Sequence, residues 1–411
     1  MSTSVPARLR RAHPVNLAHD DPRNLGIQIG PSPPHTESVQ AAAERVRLEI
    51  QALAAAGLDL PTFGHAALDV LTRAVPFSAA CLAPADPATG LITGNLKWGG
   101  VGDEYDDQWI FHEYEGPDPF NFQVVTGRPG GVATAMVETG GDLNSSARFT
   151  DLYHHWDVGD EARMALQSDG AAWGFLALFR DGSRSTFTGA EQEYLSGVRS
   201  ALAVGLRAGT IASAATELLP ALQGPVVLVV DSADEIVRLS VGAAEGLANL
   251  IGEPIGRSPL PFSVRALVGA ARRFGQGQNP TIPRTRLRSR SGHWLVGHAS
   301  PLLSPDGSAT DVVVTLEEAR PPEIVPLVVA ALGLTGRERD VVTLALQGVS
   351  TSEMARALEL SSYTVQDHLK SIFNKAGVRS RRELLAKVFY DQYAPRLGAG
   401  ASLGPSGWFT I

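Results

Sequence analysis

Residues 334–381 read LTGRERDVVTLALQGVSTSEMARALELSSYTVQDHLKSIFNKAGVRSR, and this stretch decides the fold of the C-terminal part of the chain. Thr335 with Glu338, and Ser350 with Glu353, have the spacing at which a hydroxyl and a carboxylate cap each other's backbone amides, so each pair starts a helix. Ser361 with Thr364 offers a third start without the acid, and Ser380 with Glu383 opens a fourth helix. Behind the first three starts, apolar residues recur at helical spacing: Val341, Leu344 and Ala345; Met354, Ala355 and Leu358; Val365, Leu369 and Ile372. The second and third helices are joined only by Glu359-Leu360, the layout of a helix-turn-helix.

Aligned without gaps, the stretch resembles the LuxR-type DNA-binding domain at Leu334, Thr335, Arg337, Glu338, Gly348, Ser350, Glu353, Ser361, Thr364, Val365, His368, Lys375, Gly377 and Arg381, among others. The resemblance implies an all-α, four-helix module over 331–396 whose recognition helix runs from about Ser362 to Ala376. In LuxR-type domains the positions matching Gln366, Asp367 and Lys370 enter the major groove, where Gln suits adenine, Asp accepts from cytosine N4 and Lys favours guanine acceptors. Ser371 shares this outer face, and Thr364 and Lys375 are expected on phosphates. The fourth helix carries Leu384, Leu385, Val388 and Phe389. Part of that stripe is expected on the module's own core, and the remainder between two modules on a near-palindromic site. Two positions depart from the family: it usually has lysine where Gln366 stands and glycine where Glu359 stands.

Composition narrows the function classes. Across 331–396 there are ten Lys or Arg against seven Asp or Glu, a net +3, while the remaining 25 basic and 36 acidic residues give −11. An acidic body with one basic module suits nucleic-acid contact through that module alone. The lysines are Lys97, Lys370, Lys375 and Lys387, so no P-loop can be formed, and a receiver-type phosphorelay starting at Val229-Val230-Asp231 would lack its later lysine. Cys81 lies in the mostly apolar run FSAACLA (77–83) and reads as a core thiol rather than a redox or metal site. With no apolar run of membrane length and no signal segment, a cytoplasmic protein without membrane contact is expected. Nothing matches a nucleophile elbow, a zinc-peptidase helix or a dinucleotide fingerprint, so neither an enzyme nor a cofactor or metal is expected.

Upstream, residues 1–36 read as a mobile arm and 37–208 as a first α+β domain. Helices are expected over 37–56 and 61–75, strands at 77–83 and 91–98, and a helix over 145–156. Ala162–Gln167 and Ala171–Arg180 flank the turn Ser168-Asp169-Gly170 as a hairpin, and Thr188 with Glu191 caps a closing helix. This order, ending in AAWGFLALFR and FTGAEQEYL, is similar to a GAF-type sensory domain. After a linker at 209–221, residues 222–318 begin with the strand PVVLVVD (225–231). Helices follow at 240–251 and 262–274, then strands near 283–290, 293–300 and 311–317, an order similar to a PAS domain. The prolines of 319–330 suggest a linker, and 397–411 a flexible tail.

Trp98, Trp109, Phe111 and Tyr114 are the candidate ligand-pocket residues of the first domain, set against a bland reading in which these aromatics anchor a loop over the sheet. Arg284, Arg286, Arg288 and Arg290 alternate along a strand and share one face; such a face can bind an anion or a DNA backbone, but a solvated sheet face is the expectation. The chain therefore reads as multidomain: GAF-like and PAS-like α+β sensory domains followed by an all-α LuxR-type helix-turn-helix. It is expected to regulate transcription as a homodimer on double-stranded promoter DNA, under a small-molecule or protein effector, with RNA polymerase a candidate partner. The alternative is a signalling adaptor that binds a partner or ligand through the upstream domains.

Overall fold

Two five-stranded antiparallel sheets with the same strand order, second-first-fifth-fourth-third, precede a helical module. The structure is a computed structural model, and it describes residues 35–116, 118–212, 224–251, 260–290, 292–304, 309–389, 402–403 and 409–410. The expected arm at 1–36 therefore lies almost wholly outside the described residues.

The first domain comprises α1 (His35–Ala55), α2 (Leu60–Leu71), β1 (Ala79–Pro84), β2 (Leu96–Trp98), α3 (Asp106–Tyr114), α4 (Phe122–Gly127), β3 (Val132–Thr134), α5 (Ala135–Glu138), α6 (Ala147–Asp151), β4 (Val158–Ser168), β5 (Ala171–Asp181) and α7 (Gly189–Ala212). The continuous helix expected over 145–156 is instead α6 flanked by short 3-10 turns at Leu143–Ser145 and Tyr153–Trp156. The β4–β5 turn is as read, with Asp169 and Gly170 both at positive φ (53° and 79°), the conformation of a two-residue hairpin loop. Because successive strand residues face opposite ways, β1 sends Ala80 and Leu82 to one core and Cys81 and Ala83 to another. The first core is closed by Phe63, Ala67, Leu68 and Leu71 of α2 and by Leu195, Val198, Leu202 and Leu206 of α7. The second lies under α3, α4 and α6 and is filled by Trp109, Phe120, Phe122 and Tyr153. Cys81 is buried, and burial pushes its thiol up to about 12, which keeps it protonated and unreactive.

The second domain comprises β6 (Val226–Val230), β7 (Ile236–Leu239), α8 (Ala243–Ile251), α9 (Phe262–Gly275), β8 (Arg284–Arg288), β9 (Trp294–Leu303) and β10 (Ala309–Glu318). The edge strand β7 has no counterpart in the sequence reading, because its residues are exposed or half-buried and carry no clear alternation. Val264, Leu267, Val268 and Ala271 of α9 pack on the central strands. The opposite side of α9 meets α3: a Cβ on Gly269 would come within 2.8 Å of the Tyr114 Cβ, so glycine permits this approach.

The arginine stripe is not solvated. Arg286 donates from Nε to Asp86 Oδ2 at 2.8 Å and forms a second ion pair with the same carboxylate, which belongs to the first domain and is itself buried. Arg288 donates to the Thr210 carbonyl at 3.2 Å, and only Arg284 is exposed. The alternation identified the shared face correctly, but that face is covered by the first domain.

The segment expected as a linker is a helix, α10 (Pro321–Ala331). Prolines at its first two positions need no N–H partner and hold helical φ, and the Arg320 amide donates to Glu323 Oε2 at 2.7 Å to complete the start. Leu327 and Ala331 enter the first domain's core, while Val325, Val328 and Val329 pack on the core of the C-terminal module. That module is α11 (Gly336–Leu346), α12 (Thr351–Ala357), α13 (Ser362–Ala376) and α14 (Arg381–Phe389), so all four expected helices are present. In the tail expected to be flexible, β11 (Ser402–Leu403) pairs with β12 (Phe409–Thr410).

Glu359, between α12 and α13, sits at φ 56°, in the left-handed region that disfavours residues with a Cβ. Glu359→Gly is expected to stabilise the module by about 0.5–1 kcal/mol, because relief of this strain exceeds the added freedom of the unfolded chain. Chemical denaturation of the full chain measures the change, and a loss of stability would contradict it.

Candidate nucleic-acid interface

The recognition helix α13 is defined at both ends by its sequence. Ser361 caps it by accepting from the Thr364 amide at 3.1 Å, and Gly377 ends it at φ 65°, with the Val378 amide returning to the Phe373 carbonyl at 2.9 Å. Val365, Leu369, Ile372 and Ala376 are buried against the other helices. The opposite face carries Tyr363, Gln366, Asp367, Lys370 and Asn374, all exposed, with Tyr363 at 82%. Gln366, Asp367 and Lys370 make no side-chain hydrogen bond or ion pair among the described residues, so the three expected groove residues form one open face.

The remaining expected contacts divide. Thr364 lies at the helix start with its hydroxyl 2.9 Å from that of Ser361. Ser371 and Lys375, four residues apart, turn towards α11 instead. Ser371 Oγ donates to Glu338 Oε1 at 2.7 Å, and Lys375 Nζ donates to Glu338 Oε2 at 2.6 Å and to the Gly333 carbonyl at 3.3 Å. Glu338 also receives the Thr335 amide at 2.6 Å, so one buried carboxylate both caps α11 and fastens α13. Ser371 thus acts within the module. Burial opposes the charge on Glu338, but hydrogen bonds from Lys375, Ser371 and Thr335 outweigh it and hold the carboxyl down at about 2. Sequence reading found Glu338 as a cap and missed its tertiary partners.

In α14, Leu384 and Val388 are fully buried in the module's own core and are not available to a second copy, contrary to the expected pairing stripe. Leu385 and Phe389 are half-buried, and α14 packs against α10, so the bridging helix covers part of the surface assigned to dimerisation. Elsewhere in the module, Arg356, Arg379 and Arg382 are exposed and form no ion pair among the described residues.

The four aromatics offered as a ligand pocket do not converge. Trp98 packs on the α2/α7 side of the first sheet, edge-on to Phe77, and donates to Asp69 at 2.7 Å. Trp109 is buried on the other side of that sheet, Phe111 is exposed, and Tyr114 lies where α3 meets α9. What surrounds Trp109 is a buried ionic cluster that sequence reading missed. Arg163 donates to Glu161 at 2.8 Å and to Glu113 at 2.7 Å, Arg148 pairs with Asp118, and the Arg163 guanidinium lies 4.5 Å from the Phe122 ring centroid. Burial pushes the Glu113 and Glu161 carboxyls up to about 7 against the lowering pull of Arg148. A separate cavity of about 650 Å³ opens between the two sheets and α10, lined by Leu60, Asn95, Arg286, Arg288, Trp294 and Leu327 among others. No group of three or more metal-ligating side chains occurs among the described residues, and none of their helices is long and apolar enough to cross a membrane.

Glu338 gives the module a defined acid sensitivity. Its folded-state value lies below the ordinary 4.5, so between about pH 4.5 and 2 the native protein binds fewer protons than the unfolded chain. Its contribution is complete above that window and is lost as pH falls through it. Glu338→Ala is expected to cost about 2–3 kcal/mol at neutral pH, because Lys375 and the Thr335 amide lose their partner, and to flatten the acid limb. Denaturation curves at pH 7 and pH 3 test both effects; an unchanged acid limb in the variant would refute the assignment.

Residues 332–388 match the family described as bacterial regulatory proteins, luxR family. Over 56 residues the chain is 39% identical to a monoamine regulon transcriptional regulator of Klebsiella aerogenes, covering 14% of this chain and 25% of that protein. It is 36% identical over 55 residues to the spore germination protein GerE of Bacillus subtilis (strain 168), covering 13% of this chain and 74% of that protein. The chain thus spans about a quarter of the first three curated relatives it matches and about three quarters of the fourth. A Vibrio cholera VqmA–ligand–DNA complex is 19% identical, covering 42% of this chain and 84% of that chain, at a TM-score of 0.20, too low to relate the folds. With its capped helices, its open recognition face and three quarters of GerE matched, the chain belongs to the luxR family of bacterial regulatory proteins.

Proposed function

We propose that this chain is a transcriptional regulator whose helix α13 reads promoter DNA under the control of the two upstream domains. The observation that carries this reading is the open face of α13: Gln366, Asp367 and Lys370 lie together without partners, on a helix held rigidly by Ser361 and Glu338. An amide, a carboxylate and an ammonium on one exposed helix face are the groups that hydrogen-bond base edges in the major groove. Arg356, Arg379 and Arg382 supply charge for the phosphate backbone, and Thr364 at the helix start is placed for one phosphate. Lys375 reaches DNA only by giving up Glu338, so it contributes less than its charge suggests.

Because the recognition face is already open, control acts by placing the module rather than by uncovering it. Helix α10 is packed into the first domain's core and against the module, so a shift in the sensory cores moves the module with it. Two copies on a near-palindromic site would answer such a shift through their spacing, and Leu384 and Val388 are not the residues that pair them. The target makes the protein cytoplasmic, with RNA polymerase as its candidate protein partner; no catalytic role is assigned. The adaptor alternative predicts no affinity for duplex DNA.

The full chain is expected to select a preferred sequence from a random duplex pool and to bind it with an affinity that falls as salt rises. Lys370→Ala should weaken that binding about tenfold, and Gln366→Ala should relax preference at one base pair with a smaller loss. Absence of duplex binding at low salt, measured by fluorescence anisotropy, would overturn the reading.

A further inference from the structure

The geometry points to the cavity between the two sensory sheets and α10 as a binding site for a small organic anion that carries an apolar body. This inference goes beyond the regulator reading: occupancy of the cavity can be measured on the protein without DNA.

At about 650 Å³ the cavity has the size of a site for a small organic molecule, a class that spans roughly 300–1,000 Å³. Leu60 of the first domain, Trp294 of the second and Leu327 of α10 give it apolar walls. Polar and charged groups line the rest, Asp59, His65 and Lys97 among them, and the two strand arginines are unevenly neutralised. Arg286 is neutralised by Asp86, and its Nη1 also donates to the Glu323 carbonyl in the first turn of α10 at 3.1 Å. Arg288 has no such neutralisation.

Arg288 Nε donates to the Gly292 carbonyl at 3.2 Å, Nη1 to the Thr210 carbonyl at 3.2 Å, and the guanidinium lies 5.2 Å from the Trp294 ring centroid. Among the described residues it has no carboxylate within ion-pair distance, and its Nη2 donates to no protein group. Burial alone pulls its pKa below the usual guanidinium value. A half-buried cation held only by neutral carbonyls and a ring leaves a charge that a carboxylate or phosphate monoester in the cavity would neutralise, with Nη2 free to donate to it.

The apolar walls take the body of the occupant beside Arg288. Thr210 on α7, and Leu327 and Glu323 on α10, tie the occupant's position to the helix that carries the module, as an effector site requires.

The test titrates the full chain by calorimetry with 3-(4-hydroxyphenyl)propionate, with phenyl phosphate and with the uncharged 3-(4-hydroxyphenyl)propionamide. At least one anion is expected to bind at least tenfold more tightly than the amide; the carboxylate arm identifies an organic acid and the phosphate arm a phosphate ester. Arg288→Gln should reduce anion affinity at least tenfold with its melting temperature retained. Leu327→Trp, which fills the cavity and leaves Arg288 in place, should abolish binding and decides the matter if Arg288→Gln does not fold. Equal affinity for anions and amide, no binding of any probe, or anion binding unchanged in Leu327→Trp would overturn the proposal. Duplex binding is measured on the same preparations, so failure of the cavity site and failure of the regulator reading are distinguished.

Discussion

A helix with so few polar side chains must find apolar cover, and α10 finds it by belonging to two cores at once, with only Pro322, Pro326 and Ala330 left exposed. Between Ile324 and Ala331 it presents no polar side chain at all. Leu327 and Ala331 are withdrawn from water by the α2/α7 core of the first domain, and Val325, Val328 and Val329 by α11–α14. Burying one such side chain contributes about 1.5–3 kcal/mol. Neither body can therefore release α10 without exposing the surface it buries, and this links the first domain to the C-terminal module.

The same logic of shared surface holds the two upstream α+β domains together. Gly269 brings α9 against Tyr114, Arg272 of α9 pairs with Glu115 just beyond α3, and Arg286 of β8 reaches across to Asp86. These last two are charged pairs withdrawn from bulk water, which fix register because a displaced partner would leave a charge unpaired. Around Trp109 the first domain goes further and buries Arg148 and Arg163 with Glu113, Asp118 and Glu161 inside its second core. Such a cluster specifies one arrangement of α3, α6 and β4 more sharply than apolar packing would.

What the sequence made legible follows from the range of the forces concerned. The module was readable helix by helix, since capping pairs such as Thr335–Glu338 and Ser350–Glu353 act over three residues and apolar stripes over one helix. The hairpin at Asp169-Gly170 was local for the same reason. The errors came where distant residues decide. Pro321, Pro322 and Pro326 read as linker, although the first two start a helix and the third only leaves the Pro322 carbonyl without a helical partner. Alternation placed Arg284, Arg286, Arg288 and Arg290 on one face but carried no information on what covers it. The Trp109 cluster joins residues 113, 118, 148, 161 and 163, which no local pattern associates. Periodicity put Leu384, Leu385, Val388 and Phe389 on one stripe but could not say that Leu384 and Val388 are the part belonging to the module's own core.

The double membership of α10 also bears on how such chains are assembled over evolutionary time. A helix-turn-helix detached at residue 331 would leave behind the valines that complete its core, and the upstream half would keep a helix with one side stripped. In this chain the module's core is thus complete only with its preceding apolar helix. Any other upstream domain joined to it would have to offer a groove that accepts Leu327 and Ala331, so compatibility between the two parts is written in a few buried side chains rather than in the length of a tether.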